Sequence, residues 1–164
     1  MRQHIFLVLL LAVATAAAGQ GGSSDANARN AIPLEVDPRF GAILVRVHVN
    51  GQSALMIVDT GSSNTIVSSD LLHVRPLALE HADTAAKGSG YRGSAAWAKA
   101  TVELGDLRWL DRKVLVMDDF REISHSMKQK IDGILGEDLL QEFSSVLIDF
   151  KHQRLFVSRA ERSP

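Results

Sequence analysis

The sequence predicts a mainly β domain, a closed and barrel-like sheet with one or two short helices. Short apolar runs recur along the chain with Gly, Asn or Asp turn signals between them. Several of the runs alternate with the two-residue period of a half-buried strand, and only two stretches read as helix. The length of 164 residues, with 46% hydrophobic and 23% charged, fits one ordinary domain.

Residues 1–18 are expected to be a signal peptide. Arg2 and His4 make a short polar start, residues 5–14 are a greasy run, and Ala16, Ala17 and Ala18 supply the small residues a signal peptidase needs. The cut is placed after Ala18. An uncleaved anchor is the alternative, but the run is shorter than the roughly 20 apolar residues that cross a bilayer. The expected localisation is exported, periplasmic or secreted. Residues 19–31 are Gly, Ser, Asn and Ala without periodicity and read as a flexible leader. The folded domain is expected over residues 32–160, with a tail at 161–164.

Within the domain, Ile43, Val45, Val47 and Val49 alternate with Leu44, Arg46 and His48, a strand with one apolar face. Asn50-Gly51 is a hairpin signal, because both residues tolerate positive φ. Residues 54–58 form the returning strand, apolar throughout and so suited to burial on both faces. Residues 65–67 are a further short strand, while 77–86 carry little pattern. Residues 98–104 alternate again before a Gly105-Asp106 turn. Residues 107–110 and 114–117 read as two more strands, 118–130 as a polar, mixed stretch with room for one helical turn, and 131–135 as an apolar run broken by Asp132-Gly133. Residues 137–143 read as a short helix, and 146–150 with 155–157 as a closing hairpin. The segment Ile66-Val67-Ser68-Ser69-Asp70-Leu71-Leu72 aligns with Ile134-Leu135-Gly136-Glu137-Asp138-Leu139-Leu140 at a constant offset, a faint internal repeat.

Composition excludes several chemistries. Lys and Arg number 18 against 19 Asp and Glu, so the basic surplus of a dedicated nucleic-acid binder is missing. Cysteine is absent, which excludes disulfides, thiolate metal sites and a cysteine nucleophile. The histidines show no paired ligand spacing, and neither a metal nor a cofactor is expected. The run from Gly88 to Gly93 spells G-x-G-x-x-G, but no apolar strand precedes it and no amphipathic helix follows, so the dinucleotide reading fails on context. Trp97 and Trp109 fall in strand-like stretches and read as packing residues.

The sharpest feature is Ile57-Val58-Asp59-Thr60-Gly61-Ser62-Ser63. A carboxylate stands at the end of the most apolar strand, where an unpaired charge is costly and needs a partner or a task. Gly61 lets backbone amides approach it, and Thr60 and Ser62 add hydroxyls. On these residues alone an ordinary Asp-Gly turn remains an equal reading.

The wider context resembles the retropepsin-like aspartic proteases of the small, single-domain bacterial type. The Asp-Thr-Gly-Ser-Ser run leads into an Ile-Val strand, Ile134-Leu135-Gly136 precedes Glu137-Asp138-Leu139-Leu140, and Val146 to Phe150 and Leu155 to Val157 resemble the closing strands. The resemblance spans residues 34–157. It implies an aspartic endopeptidase acting on polypeptide, with Asp59, Thr60 and Gly61 as the catalytic loop. Because the chain holds a single Asp-Thr-Gly, it also implies a homodimer in which Asp59 of each subunit supplies one of two carboxylates. Thr60 would then bond across the dimer, Gly61 and Ser62 would hydrogen-bond the carboxylates, and Gly136 would let its segment pack under the loop. Gly88, Gly90 and Tyr91 fall where the family carries a flap over the substrate, a plain surface loop being the alternative. Ser62 departs from the Ala frequent in small bacterial relatives. The terminal strands that join the retroviral enzymes are not recognisable, and residues 32–36 and 155–157 are the expected substitutes. The competing reading of the whole is a non-catalytic binding or assembly module that keeps the fold.

Overall fold

The computed structural model describes residues 31–72, 78–81, 95–117 and 120–158. The signal segment, most of the leader and the flap candidates Gly88, Gly90 and Tyr91 lie outside the described residues. β1 (Ala31–Asp37), β2 (Ala42–Val49) and β3 (Gln52–Val58) run as successive hairpins. Asn50 and Gly51 join β2 to β3 with φ of 50° and 79°, the primed geometry whose twist matches that of the strands. β4 (Ile66–Ser68) leads into a 3-10 turn over Ser69–Leu72. Then come β5 (Ala78–His81), β6 (Ala95–Leu104) and β7 (Leu107–Met117). Helix α1 (Arg121–Met127), β8 (Gly133–Leu135), the one-turn helix α2 (Glu137–Leu140), β9 (Ser145–Asp149) and β10 (Arg154–Ser158) complete the chain. No helix among the described residues is long and apolar enough to cross a membrane.

The strands form one sheet in the order β5-β6-β7-β4-β8-β3-β2-β1-β10-β9, and β6 also pairs with β2. That extra pairing sets His48 opposite Glu103 and Val49 opposite Val102, closing β2, β3, β8, β4, β7 and β6 into a ring. β4 and β8 lie antiparallel at the middle of this ring, with Ile66 opposite Ile134. Each has a parallel outer partner, β7 for β4 and β3 for β8. The two segments of the internal repeat are therefore strand-into-helical-turn units that pair through equivalent residues, as a local two-fold relation requires.

β3 shows why the central run is apolar at every position. Ala54 and Met56 face one core, with Val45, Val47, Val67, Val102 and Leu135. Leu55 and Ile57 face a second, with Leu44, Leu115, Phe120 and Ile131. β2 changes character along its length: Leu44 is fully buried on the second face, whereas Arg46 and His48 are exposed there. Trp109 is buried, stacks edge-on to Phe143 at 5.7 Å, and donates its indole N–H to Glu142 at 2.8 Å. Trp97 packs against the second core and carries Lys113 over its ring.

Two local expectations change. Residues 107–117 form one strand rather than two, because β6 runs beside their whole length and pairs even with the polar stretch, Lys99 opposite Lys113 and Ala100 opposite Arg112. Asp111 takes a positive φ of 51° there, and the register shifts between Ala100 and Val102. α1 extends to two turns. Its sequence signal is weak because Met127 is its only buried residue, and Lys128 ends it in a left-handed conformation.

The β1–β2 turn is tied to α1 by one guanidinium. Arg39 donates to both oxygens of the buried Asp37 carboxylate and also to the Met127 carbonyl at 2.6 Å. The Arg39 side chain and backbone amide hold the Asp37 carboxyl below the ordinary carboxylate range, against the opposing effect of burial. The charged form is the one bound, so its contribution is complete above the ordinary Asp value of about 3.9 and disappears as pH falls through the lowered value. Urea midpoints of wild type and Asp37→Asn should differ clearly at pH 6 and converge at pH 2. Equal differences at both pH values would refute this linkage.

Candidate active site

β3 delivers Asp59 to the end of the ring. The strand is held between β2 and β8, and the pairing with β8 runs on past its last residue: the Asp59 amide donates to the Leu135 carbonyl at 3.1 Å. The chain then turns sharply. The Ser62 amide closes back on the Asp59 carbonyl at 3.3 Å, and the Gly61 amide donates to Asp59 Oδ1 at 2.8 Å. A Cβ on Gly61 would sit 3.2 Å from that same oxygen, so glycine gives the amide its closest approach. Among the described residues, Gly61 is the sole hydrogen-bond partner of the Asp59 carboxylate. Asp59 is half-buried, and Thr60 and Gly61 are exposed at the tip of the loop.

The Ser62 hydroxyl does not reach the carboxylate within one chain. It donates to the Asn64 carbonyl at 2.8 Å, because the tight turn leaves that carbonyl as its neighbour. The Ser62 carbonyl in turn accepts from the Glu137 amide at 2.8 Å, joining the loop to the start of α2. Gly136 stands at this junction. A Cβ there would lie 2.4 Å from the Asn64 carbonyl carbon and oxygen and 2.8 Å from the Thr65 nitrogen. Its place in the described chain is therefore backbone packing beneath the Asp59 loop.

Sequence reasoning did not single out Thr65 or Asp138 as site residues, and these two fasten the loop from below. Thr65 is fully buried, and its hydroxyl donates to Asp138 Oδ1 at 2.7 Å while accepting from the Gly136 amide at 3.2 Å. The same Asp138 oxygen accepts from the Leu139 amide at 3.0 Å, and Leu139 and Leu140 anchor α2 in the first core. The signal that could have found them was the repeat itself, since Thr65 immediately precedes one copy and Asp138 lies in the other. Thr65→Val keeps the volume but leaves the buried Gly136 amide without its hydroxyl acceptor and takes one of two donors from Asp138 Oδ1. It should cost about 1–3 kcal/mol in urea denaturation; a change below about 0.5 kcal/mol would show the hydroxyl is dispensable.

Among the other described acids near these strands, Asp132 is engaged in scaffolding. Asp132 is buried, accepts from the Leu55 amide at 2.9 Å, and meets Lys130 Nζ at 2.9 Å. The Asp132 carboxylate holds the Lys130 ammonium above its ordinary range. Gly133, next to it, has its Cα against the Ile66 carbonyl, where a Cβ would come within 2.3 Å. Asp118 and Asp119 lie outside the described residues. No cluster of His, Asp and Glu able to hold a metal occurs among the described residues. A depression of about 560 Å³ between α1 and the 3-10 turn, lined by Asp70, Phe120, Ser124, His125 and Lys130, does not include Asp59.

A retropepsin-like fold is what this ring and its loop define. The structure is similar to the crystal structure of a retropepsin-like aspartic protease from Rickettsia conorii, with a TM-score of 0.52 and 18% identity, covering 77% of this chain and 91% of that one. It also matches the retroviral protease-like domain of Ddi1 from Leishmania major (TM-score 0.47, 20% identity, 71% of this chain and 92% of that one). A third match is the EIAV protease complexed with the inhibitor HBY-793 (TM-score 0.49, 18% identity, 65% and 91%). No curated protein matches the chain. Residues 45–139 match the aspartyl protease family, and the chain belongs to it. Its function is accordingly of the protease type.

Proposed function

We propose that the protein is an aspartic endopeptidase that hydrolyses polypeptide between the Asp59 side chains of two identical subunits. The observation that carries this reading is the state of Asp59 in one chain: a carboxylate on a rigid strand end, with one amide partner, beside an exposed Thr60. Two such loops meeting on a two-fold axis would bring two carboxylates together, and two like charges at close range share a proton rather than ionise together. The ionised member takes a proton from water as the water oxygen bonds to the peptide carbonyl carbon. The protonated member gives its proton to the carbonyl oxygen. Collapse of this tetrahedral species breaks the C–N bond as the carboxyl that took the water proton gives it to the nitrogen, while the other carboxylate takes back a proton from a hydroxyl of the tetrahedral carbon, restoring the pair with one proton. The Gly61 amide would keep the carboxylate oriented throughout, and the exposed Thr60 would bond across the dimer.

Residues 1–18 support export as the setting, and the flap candidates Gly88, Gly90 and Tyr91 would close over an extended peptide. The test is a cleavage screen on unfolded polypeptide from acid to neutral pH, with wild type and Asp59→Asn, alongside the mass in solution. Cleavage by the wild type alone supports the proposal. Full activity in the Asp59→Asn chain overturns it. A folded chain that cleaves nothing at any pH is what the non-catalytic module would give.

A further inference from the structure

We propose that Lys99 and Lys113 bind an acidic side chain of the polypeptide substrate, about four to six residues from the bond that is cut. This inference rests on the paired-carboxylate reading above and adds a substrate class to it, peptides with Asp or Glu at that distance. Lys99 on β6 stands directly opposite Lys113 on β7. The Cβ atoms of such a pair are about 5 Å apart, and like charges there are destabilising. Both side chains are exposed. Arg46, Arg108, Arg112 and Lys130 each meet a carboxylate, whereas no ion pair among the described residues engages Lys99 or Lys113. The register puts the uncharged Ala78 of β5 opposite Lys99, with Glu80 one pair further along, opposite Trp97.

The two lysines lie on the face of the sheet that carries the Asp59 carboxylate. Leu55 and Ile57 face the second core, and the ladder continues through the Asp59 amide, so strand alternation turns the Asp59 side chain to that face as well. Residues opposite one another share a face. Ile57 is opposite Ile134, Ile134 opposite Ile66, Ile66 opposite Leu115, and Leu115 opposite Trp97, an apolar row across five strands. Through these pairings β3 and β6 point the same way. Asp59 lies two residues beyond Ile57, as Lys99 lies two beyond Trp97 and opposite Lys113. Asp59, Lys113 and Lys99 therefore share one level of the sheet, just past the apolar row.

An extended peptide leaving the Asp59 loop across these strands meets both features. Ile134, Ile66 and Trp97 are half-buried and offer it an apolar bed. Lys113 is three strands from Asp59 and Lys99 four, about 14 and 19 Å along the sheet, which an extended chain spans in about four to six residues. The Lys113 ammonium is held over the Trp97 ring, 4.8 Å from its centre, so the charge sits above the end of the apolar row. At that range the Asp59 pair is beyond the screening length of ordinary salt and does not repel the incoming acid. A neutral residue leaves the two ammoniums facing each other, whereas a carboxylate between them relieves the repulsion. A two-fold dimer carries the lysines once per subunit, so an acid on either side of the cut is served.

The test uses a peptide that the wild type cuts, remade with Glu or Gln at each position about three to six residues from the cut on either side. The best-placed Glu should raise kcat/KM over Gln about 3- to 10-fold, the size of two exposed ion pairs, mostly through KM. The ratio should shrink at about 1 M salt, where such pairs are screened. The double variant Lys99→Gln, Lys113→Gln should bring the Glu-to-Gln ratio to about one, with a urea midpoint no lower than that of the wild type because a like-charge pair is removed. Lys151→Gln, which removes an exposed lysine in the turn between β9 and β10, should keep the ratio. A wild type that cuts Glu and Gln peptides equally at every position, or a preference that the double variant retains, overturns the lysine site while the paired-carboxylate reading stands. A folded wild type that cuts no peptide overturns both.

Discussion

Asp59→Asn is expected to lower peptide-bond cleavage by about 10²–10⁴-fold or more, the range that one acid–base group supplies, while leaving the fold unchanged. The split between activity and stability follows from the geometry. The side chain keeps its size, and its remaining carbonyl oxygen still accepts from the Gly61 amide at 2.8 Å. Its backbone contacts, the amide to Leu135 and the carbonyl to Ser62, are untouched. On the proposed mechanism, what is lost is a group that exchanges a proton, and a symmetric pair would lose it from both copies at once. Kinetics on an unfolded protein substrate, paired with a urea transition for each chain, measure the two quantities separately. A midpoint shifted by much more than the ±0.5 kcal/mol of ordinary surface changes would mean that Asp59 is a structural group, and the acid–base role would fall with it.

Gly136→Ala is expected to produce a large stability loss for a single methyl addition. The new Cβ would meet the Asn64 carbonyl carbon and oxygen at 2.4 Å and the Thr65 nitrogen at 2.8 Å. These are backbone atoms of the segment that follows the Asp59 loop, so no flexible side chain can swing aside. Overpacking into yielding side chains costs typically about 1–3 kcal/mol, and here the backbone has to separate, which puts the cost at or above about 3 kcal/mol. Separation also pulls apart the Thr65 hydroxyl and the Gly136 amide, now 3.2 Å apart, and the link from Glu137 to the Ser62 carbonyl. Activity should fall with stability, unlike the Asp59 variant. Equilibrium urea denaturation decides the matter: a loss under about 1 kcal/mol would show that the two segments have room that the structure denies them.

The contrast between these two residues shows how far the sequence could be read. Asp59 announced itself, because a carboxylate after five apolar residues is chemically conspicuous wherever it falls. Gly136 could be noticed only through its neighbours Ile134 and Leu135, and its tight fit against Asn64 comes from a segment about seventy residues earlier. Thr65 and Asp138 were silent as site residues. A threonine before a strand and an aspartate in a first helical turn are ordinary, and their 2.7 Å hydrogen bond exists only because β4 and β8 pair. α1 was understated for a related reason: a helix that buries Met127 alone leaves almost no hydrophobic period to detect.

Local chemistry was enough to specify most of the strands, the Asn50-Gly51 turn and the acidic loop, since period-two burial, positive φ and a charge at an apolar strand end are written over a few adjacent residues; β5 and the unbroken course of β7 were not among them. Closure of the ring by β6 on β2, the pairing of the repeat through Ile66 and Ile134, and the use of β1 and β10 inside the chain were settled by folding. These depend on which edges find each other across long separations. Backbone hydrogen bonding makes every strand edge alike, and the packing of the assembled core selects among them.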